Sequence, residues 1–502
     1  MMLSTMIVTA VLLLSSVSML ATTLHVGPSQ PYANVQAAAV AVRPGDTIAL
    51  HTGTYSAYQL IESVKGAPNK WIVIKRFESD VVTINGMWQF SKVNFIKIEG
   101  LAFRASPAFP GRLFLMDNGG SCATQCTQIV VDSCSFMNTT DTVFAVFKFA
   151  GVDSFQVRNC VFKDLASGAF DFNTCHFGVI SGNRIENCQT GGHIKGGASL
   201  ITMERNIFLN ASRSPWVAFE FGGDTSPEFY CAGSTAEVRD LKFYSNLVIG
   251  GYRGLALSSA VNCQVVNNTF YECGQATIRF LTTSTLYPAS TGNYVVNNIF
   301  AFGAASQYIN GSTMPFGAVI LASNIYYSTT NPTFTGPYWD TPALDKIKEL
   351  NPTIVTATTQ MFVDGTARDL HLTPSSPAIA VGVKTNDPIV DYYGYAYKTQ
   401  RSVGAAEYGS SLVSVEDVAA TSNTWTVYPN PSSGTITLRA PIATQSQAIA
   451  DIVDSRGSVV ARTSIGELQD FDCSLQPAGR YTVVIRPTPT ATPICIPFVI
   501  IR

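Results

Sequence analysis

His193 and Lys195 are the residues in this chain best placed to do chemistry, standing either side of Ile194 in Gly191-Gly192-His193-Ile194-Lys195-Gly196-Gly197. A lysine whose ammonium form is destabilised by burial or by neighbouring positive charge becomes a general base. Histidine gives or takes a proton near neutral pH. Nearby in the sequence stand three carboxylates, Asp171, Glu220 and Asp224, which in pairs could act as acid and base. Arg213 is a further cation, while Trp216 and Tyr252, the latter followed by Arg253, offer ring faces to a bound ligand. Among these, His193 and Lys195 are singled out by a pattern that they break.

The pattern is a triplet with apolar ends and a polar or small centre: Phe147-Lys148-Phe149, Phe170-Asp171-Phe172, Phe219-Glu220-Phe221, Leu255-Ala256-Leu257 and Ile278-Arg279-Phe280. In His193-Ile194-Lys195 the polarity is inverted. Two ionisable side chains entering a core would be costly without partners. A one-residue slip of the strand instead turns Ile194 inward and puts His193 and Lys195 on one outer face, and the flanking glycines make such an adjustment easy.

The triplets are held by a longer repeat. Eleven positions after the first three triplets ending at Phe149, Phe172 and Lys195 come Cys160, Asn183 and Asn206, so the period is 23 residues. The same turn recurs as Cys134-Ser135-Phe136, Asn246-Leu247-Val248, Asn268-Thr269-Phe270, Asn298-Ile299-Phe300 and Asn324-Ile325-Tyr326. A period of this length, with short β-branched and aromatic strands of alternating polarity, predicts an all-β solenoid whose coils stack on their neighbours. Asparagine suits the turn because it tolerates the left-handed conformation, and stacked amides can bond along the axis. Cys134 and Cys160 stand in that column at its N-terminal end. The step from Asn206 to Asn246 is 40 residues, so this coil carries an insertion, Gly222 to Arg239, of the kind that shapes a binding face.

The Asn-x-Phe turns and the coil length resemble the right-handed parallel β-helix superfamily, which includes the pectate, alginate and chondroitin lyases, and the resemblance runs from Thr23 to Tyr408. In the alginate and chondroitin lyases, a lysine placed as Lys195 is in Ile194-Lys195-Gly196-Gly197, shortly before an Asn turn, serves as the base. The resemblance also implies calcium held by acidic or amide residues, for which Asp171, Glu220 and Asp224 are the candidates. The arginine expected one coil later is replaced by Gly222, which leaves His193 or Arg213 to stand in. The implied function is a polysaccharide lyase acting on a uronate polymer by β-elimination. Fold alone does not fix the reaction, so a glycoside hydrolase pairing Glu220 with Asp224 or Asp171, and a non-catalytic carbohydrate binder, remain open.

The rest of the chain sets the context. Its 502 residues carry a net charge of −2 and only 13% charged residues, which gives no footing for nucleic acid or a charged membrane surface. Met6 to Leu20 are apolar and Ala21 offers a cleavage point, so 1–21 reads as a signal peptide, although no basic residue precedes the apolar run. No later stretch is apolar enough to span a bilayer. Leu24 to Val26 reads as a strand and Tyr32 to Val42 as an amphipathic helix covering the first coil. The solenoid occupies 22–409. A short helix is expected from Trp339 to Leu350, and Asp46, His51, Asp391 and Glu407 are assigned to folding. A linker follows at 410–424.

Residues 425–502 open with Tyr428-Pro429-Asn430-Pro431 and continue through Asp454-Ser455-Arg456-Gly457 and Gly479-Arg480-Tyr481. They resemble the C-terminal sorting domain of the type IX secretion pathway, a small β-sandwich. This implies export to the cell surface or beyond, with the secretion machinery and a polysaccharide as partners and the chain itself a monomer. Of the eleven cysteines, Cys122 and Cys126 in a loop are the expected disulfide, the others mostly buried as small hydrophobes.

Overall fold

The computed structural model describes residues 21–411 except 143–144, 305–307, 312–316 and 341–343, together with 426–428, 435–439, 448–454, 458–465, 468–473, 476, 479–486 and 494–500. The expected signal peptide and linker fall almost wholly outside the described residues. From Thr23 to Val355 the chain winds as a parallel β-solenoid of about 12 turns. Two long sheets run along it, one of 16 strands and one of 21, and successive coils pair in parallel within each.

Six strands of the larger sheet matter below: β1 (Phe147–Ala150), β2 (Val161–Asn173), β3 (Arg184–Lys195), β4 (Phe219–Gly222), β5 (Arg253–Ser258) and β6 (Ala276–Leu281). Their apolar triplet ends point inward as the period of two requires. Phe147 stacks on Phe114 with ring centroids 4.7 Å apart, Phe149 on Phe172 at 5.0 Å, and Phe162 on Phe136 at 4.9 Å. Burying each ring contributes roughly 2–3 kcal/mol, and the stacking about 1 kcal/mol more.

The turn column forms the expected ladder. Asn183 Nδ2 donates to Asn206 Oδ1 at 3.0 Å, and the same bond links Asn206 to Asn246, Asn246 to Asn268, Asn268 to Asn298 and Asn298 to Asn324. From Asn183 to Asn298 each backbone N–H of the column donates to the same oxygen, and at the N-terminal end Cys160 N donates to Asn183 Oδ1 at 2.9 Å. The left-handed conformation falls elsewhere than expected: it belongs to the residue before each rung, as in Asn159, Arg205, Ser245, Asn267, Asn297 and Ser323. The rung amides are selected for their buried bonds.

Both ends of the solenoid are closed. The helix α1 (Val35–Ala41) is capped by Asn34, whose side chain accepts from Ala37 N, and Gln36 N bonds the side chain of Gln59 on the first coil. Asp46 binds Thr22 and Arg43, while His51 lies between His25 and Asp80. At the other end the helix expected from Trp339 to Leu350 is absent: strands Tyr338–Asp340 and Ile347–Leu350 flank a single 3-10 turn. Each strand pairs in register with the preceding coil, and those pairings override local helix propensity. Asp391 and Glu407 are buried and bind backbone amides of the closing segment.

Beyond the solenoid, a three-stranded and a four-stranded antiparallel sheet share one core, with Ile436, Leu438 and Phe471 from one meeting Ile452, Val483 and Ile485 from the other. This is a small β-sandwich. No helix among the described residues is long and apolar enough to cross a membrane.

One pair in the 16-stranded sheet gives a pH prediction. Asp153 faces His176 on the next coil and accepts from its backbone N–H at 3.0 Å. Burial pushes the Asp153 carboxyl up to about 7 and the His176 ring down to about 4. Asp153, raised when folded, stabilises most below its ordinary value of 3.8 and loses that contribution as pH rises through about 7. His176, depressed when folded, stabilises most above its ordinary 6.5 and loses that as pH falls towards 4. Asp153→Asn should therefore raise the urea midpoint more at pH 7.5 than at pH 4.5. Equal shifts at the two pH values would count against buried neutral Asp153.

Candidate functional site

The inverted triplet is a slip, and its cause lies one coil earlier. Strands β2 and β3 pair in register to Leu165 and Cys188, and then an extra residue bulges in β2, so that Gly168 faces Thr190. Thereafter Phe170 faces Gly192, Asp171 faces His193, Phe172 faces Ile194 and Asn173 faces Lys195. Ile194 is fully buried, while His193 and Lys195 lie on the outer face. Gly192 is required where it stands: at φ +115° a Cβ would lie 2.1 Å from Phe170 O.

The slip completes a polar column running across the coils: Lys148, Asp171, His193, Glu220, Ala256 and Arg279 lie in register on β1 to β6. Adjacent coils are about 4.8 Å apart, so opposite charges in the column meet directly. Asp171 bonds Lys148 Nζ at 2.8 Å and His193 Nε2 at 2.9 Å, and accepts from Asn173 Nδ2 at 2.5 Å. Burial acts to raise its pKa, but the bond and charge of His193 and the ion pair with Lys148 outweigh it and hold Asp171 well below the usual carboxylate range. Glu220 is the opposite case. Its burial pushes the carboxyl up, against the opposing pull of His193, Ser258, Arg279 and Lys195.

Lys195 belongs to the next column, beside Asn173. Its Nζ makes no hydrogen bond or ion pair with any described residue. It opens on a cavity of about 180 Å³ whose walls include Lys148, Asp171, Asn173, Asp224 and Phe229. Gly222, the position of the missing arginine, has no room for any side chain, since a Cβ there would sit 1.6 Å from Ser258 O on β5.

Of the residues expected at the site, Asp171, His193, Lys195, Glu220 and Asp224 come together. Arg213, Trp216, Tyr252 and Arg253 do not join them. Arg213 and Trp216 precede β4, Tyr252 precedes β5 and Arg253 is its first residue, all at the opposite end of the strands from Lys195 and Asp224. There Arg213 reaches Asn187, and Arg253 lies over the Tyr252 ring and bonds Gln275 and Pro215 O. The three carboxylates offered to calcium do not make a shell for it: Asp171 is bonded to Lys148 and His193, Glu220 bonds Ser258, and Asp224 Oδ1 accepts from Thr285 N at 3.0 Å. No group of three or more acidic, His or Cys side chains among the described residues is arranged to hold a metal.

Two contributors escaped the sequence reading. Lys148 occupies the same triplet position one coil before Asp171, so the column itself contained the signal. Glu237 lies in the long insertion, where no period indexes position. The insertion also carries the disulfide, which joins Cys122 to Cys231, with Cα atoms 5.7 Å apart, and not to Cys126. Cys126 opens a strand and turns its thiol into the core, away from the Cys122 loop.

Comparison with known proteins gives few landmarks. No curated protein matches the chain. Among solved structures, a complex of XylC with xylose is similar at 10% identity and a TM-score of 0.48, covering 77% of this chain and 98% of that one. A mannuronic acid specific polysaccharide family 6 lyase from human gut microbiota is similar at 13% identity and a TM-score of 0.38, covering 65% and 84%. The PL6 family polysaccharide lyase Pedsa3628 from Pseudopedobacter saltans is similar at 14% and 0.39, covering 72% and 95%. Residues 426–492 match the secretion system C-terminal sorting domain, and this C-terminal segment marks the chain for type IX secretion or attachment at the cell surface.

Proposed function

We propose that the chain cleaves a uronate-containing polysaccharide by β-elimination outside the cell, with Lys195 as the base. The observation that carries this reading is the uncommitted Lys195 amine, facing a cavity beside an acid whose charge is already spent on Lys148 and His193. In the reaction, Lys195 Nζ takes the proton from the carbon next to the uronate carboxylate. The electron pair forms the new double bond as the glycosidic C–O bond breaks, and the leaving oxygen takes up a proton. Charge grows on the carboxylate in the transition state, and Lys148 is the cation at hand to stabilise it, with the His193 ring beside it. His193, oriented through Nε2 by Asp171, or Glu220, whose raised pKa favours the protonated form, supplies the proton to the leaving oxygen. No step is assigned to calcium.

A second reading rests on a specific observation. Asp171 is held low and Glu220 pushed up, and they lie two coils apart in one column, about 9.6 Å at the usual strand spacing. Paired carboxylates with pKa values driven apart, at about that separation, suit an inverting glycoside hydrolase. Incubation of the mature protein with alginate, pectate, chondroitin or heparin, with and without calcium, separates the two. Ultraviolet absorbance of an unsaturated product should rise with reducing ends for one polymer; reducing ends without absorbance would transfer the case to hydrolysis. Binding without turnover would refute both.

A further inference from the structure

The cavity beside Lys195 owes one wall to the insertion that leaves β4 at Gly222 and rejoins the other sheet at Val238. Asp224, Thr225, Ser226 and Phe229 line the cavity together with Lys195 and Lys148. At the root of this wall sits Glu237, with none of its surface exposed. Its Oε1 accepts from Thr225 Oγ1 at 2.5 Å and from Gly196 N at 3.3 Å, its Oε2 accepts from the Tyr230 hydroxyl, and its backbone O accepts from Gly197 N at 2.8 Å. The carboxylate thus ties two points of the wall, Thr225 and Tyr230, to Gly196, while the backbone carbonyl of the same residue holds Gly197. A buried carboxylate served by neutral donors is costly unless every bond is made, so the bonds to Glu237 form or fail together. Thr174 adds a second tie, its hydroxyl reaching Phe229 O at 2.7 Å and Gly196 O at 3.0 Å. On the outer side, the Cys122–Cys231 disulfide holds the same segment.

We propose that Glu237 is a positioning residue which fastens residues 224–230 as the wall of the Lys195 cavity, with Cys122–Cys231 as the outer fastening. The wall sets how the substrate lies against Lys195 and does not itself take part in proton transfer. Its role in turnover rests on Lys195 being the base; its role as a wall does not.

The test reads Lys195 directly. The native full chain is acylated with a water-soluble acetyl ester and Lys195 modification is followed by peptide mass spectrometry, with exposed Lys70 and Lys348 as references. Glu237→Ala should raise Lys195 labelling about tenfold through local opening without changing the references. Glu237→Gln, which keeps an acceptor for Gly196 and Thr225, should stay near the parent value. Cys122→Ser and Thr174→Val, which leave the Glu237 cluster in place, should each give a smaller rise and serve if Glu237→Ala does not fold. With substrate, Glu237→Ala should raise KM more than it lowers kcat. Unchanged labelling in folded Glu237→Ala, or a Gln variant that labels like Ala, would overturn the proposal. A labelling response with no turnover of any uronate polymer would instead refute β-elimination alone and leave the wall standing.

Discussion

Lys195→Ala is expected to cut kcat on the cleaved polymer by about a hundredfold to ten-thousandfold, the range that general base catalysis supplies. The side chain lies on the outer face with no hydrogen bond or ion pair to a described residue, so its removal should leave the coil stacking and the thermal transition nearly unchanged. Lys195→Arg keeps the positive charge but cannot give up a proton near neutral pH, and should be nearly as inactive. That pair of variants separates a base from a cation that merely attracts the polymer: a binding role predicts that arginine rescues. His193→Ala should cost less, because Lys148 keeps its ion pair with Asp171. Initial rates of absorbance, taken beside circular dichroism, decide the matter. Retention of a tenth or more of the activity in Lys195→Ala would remove the lysine from the mechanism.

The largest stability effect is expected from the amide ladder. In Asn246→Ala, the N–H and Nδ2 of Asn206 and the carbonyl of Met203 all lose their partner, in a position with no exposed surface. Each orphaned buried group costs about 1–3 kcal/mol, so three of them cost roughly 3–9 kcal/mol. A solenoid is coupled chiefly between neighbouring coils, so the loss should be local before it is global. Hydrogen exchange should quicken first at the amides of residues 203–208 and 243–248, with the N-terminal coils still protected. Uniform loss of protection along the chain would show that the ladder acts as one cooperative unit.

The architecture was legible because it is periodic. Phe147, Phe170 and Phe219 mark the inward face, and the asparagines mark the turn, so any residue can be assigned a coil and a direction by counting. The slip at His193 was legible for the same reason, since a broken polarity shows only against a regular one. Its origin was not: the bulge between Leu165 and Gly168 falls in Ala166-Ser167, which carries no polarity to violate. The bonds already made by the calcium candidates were not legible, because they come from neighbouring coils. Asp171 has the right side chain, but Lys148 and His193 sit directly above and below it, and a charge ladder neutralises its own members. Trp216, Tyr252 and Arg253 were close to the site in sequence and lie at the other end of the strands, a distinction that counting coils does not draw. The insertion from Gly222 to Arg239 carries no repeat, so neither Glu237 nor the partner of Cys122 could be indexed.

The disulfide also orders events in the life of the chain. Cys122 and Cys231 are 109 residues apart, and eight other cysteines among the described residues end as buried thiols. During passage to an oxidising exterior the seven that lie in the solenoid are competing nucleophiles for as long as the coils remain unstacked. Closing so long a loop at random is entropically unfavourable, whereas stacking the intervening coils brings the two sulfurs together and hides the five rivals between them, Cys126, Cys134, Cys160, Cys175 and Cys188. The bond is thereby a certificate of assembly, written only after the segment between its ends has wound correctly, and a chain oxidised too early would carry a different pairing and no certificate.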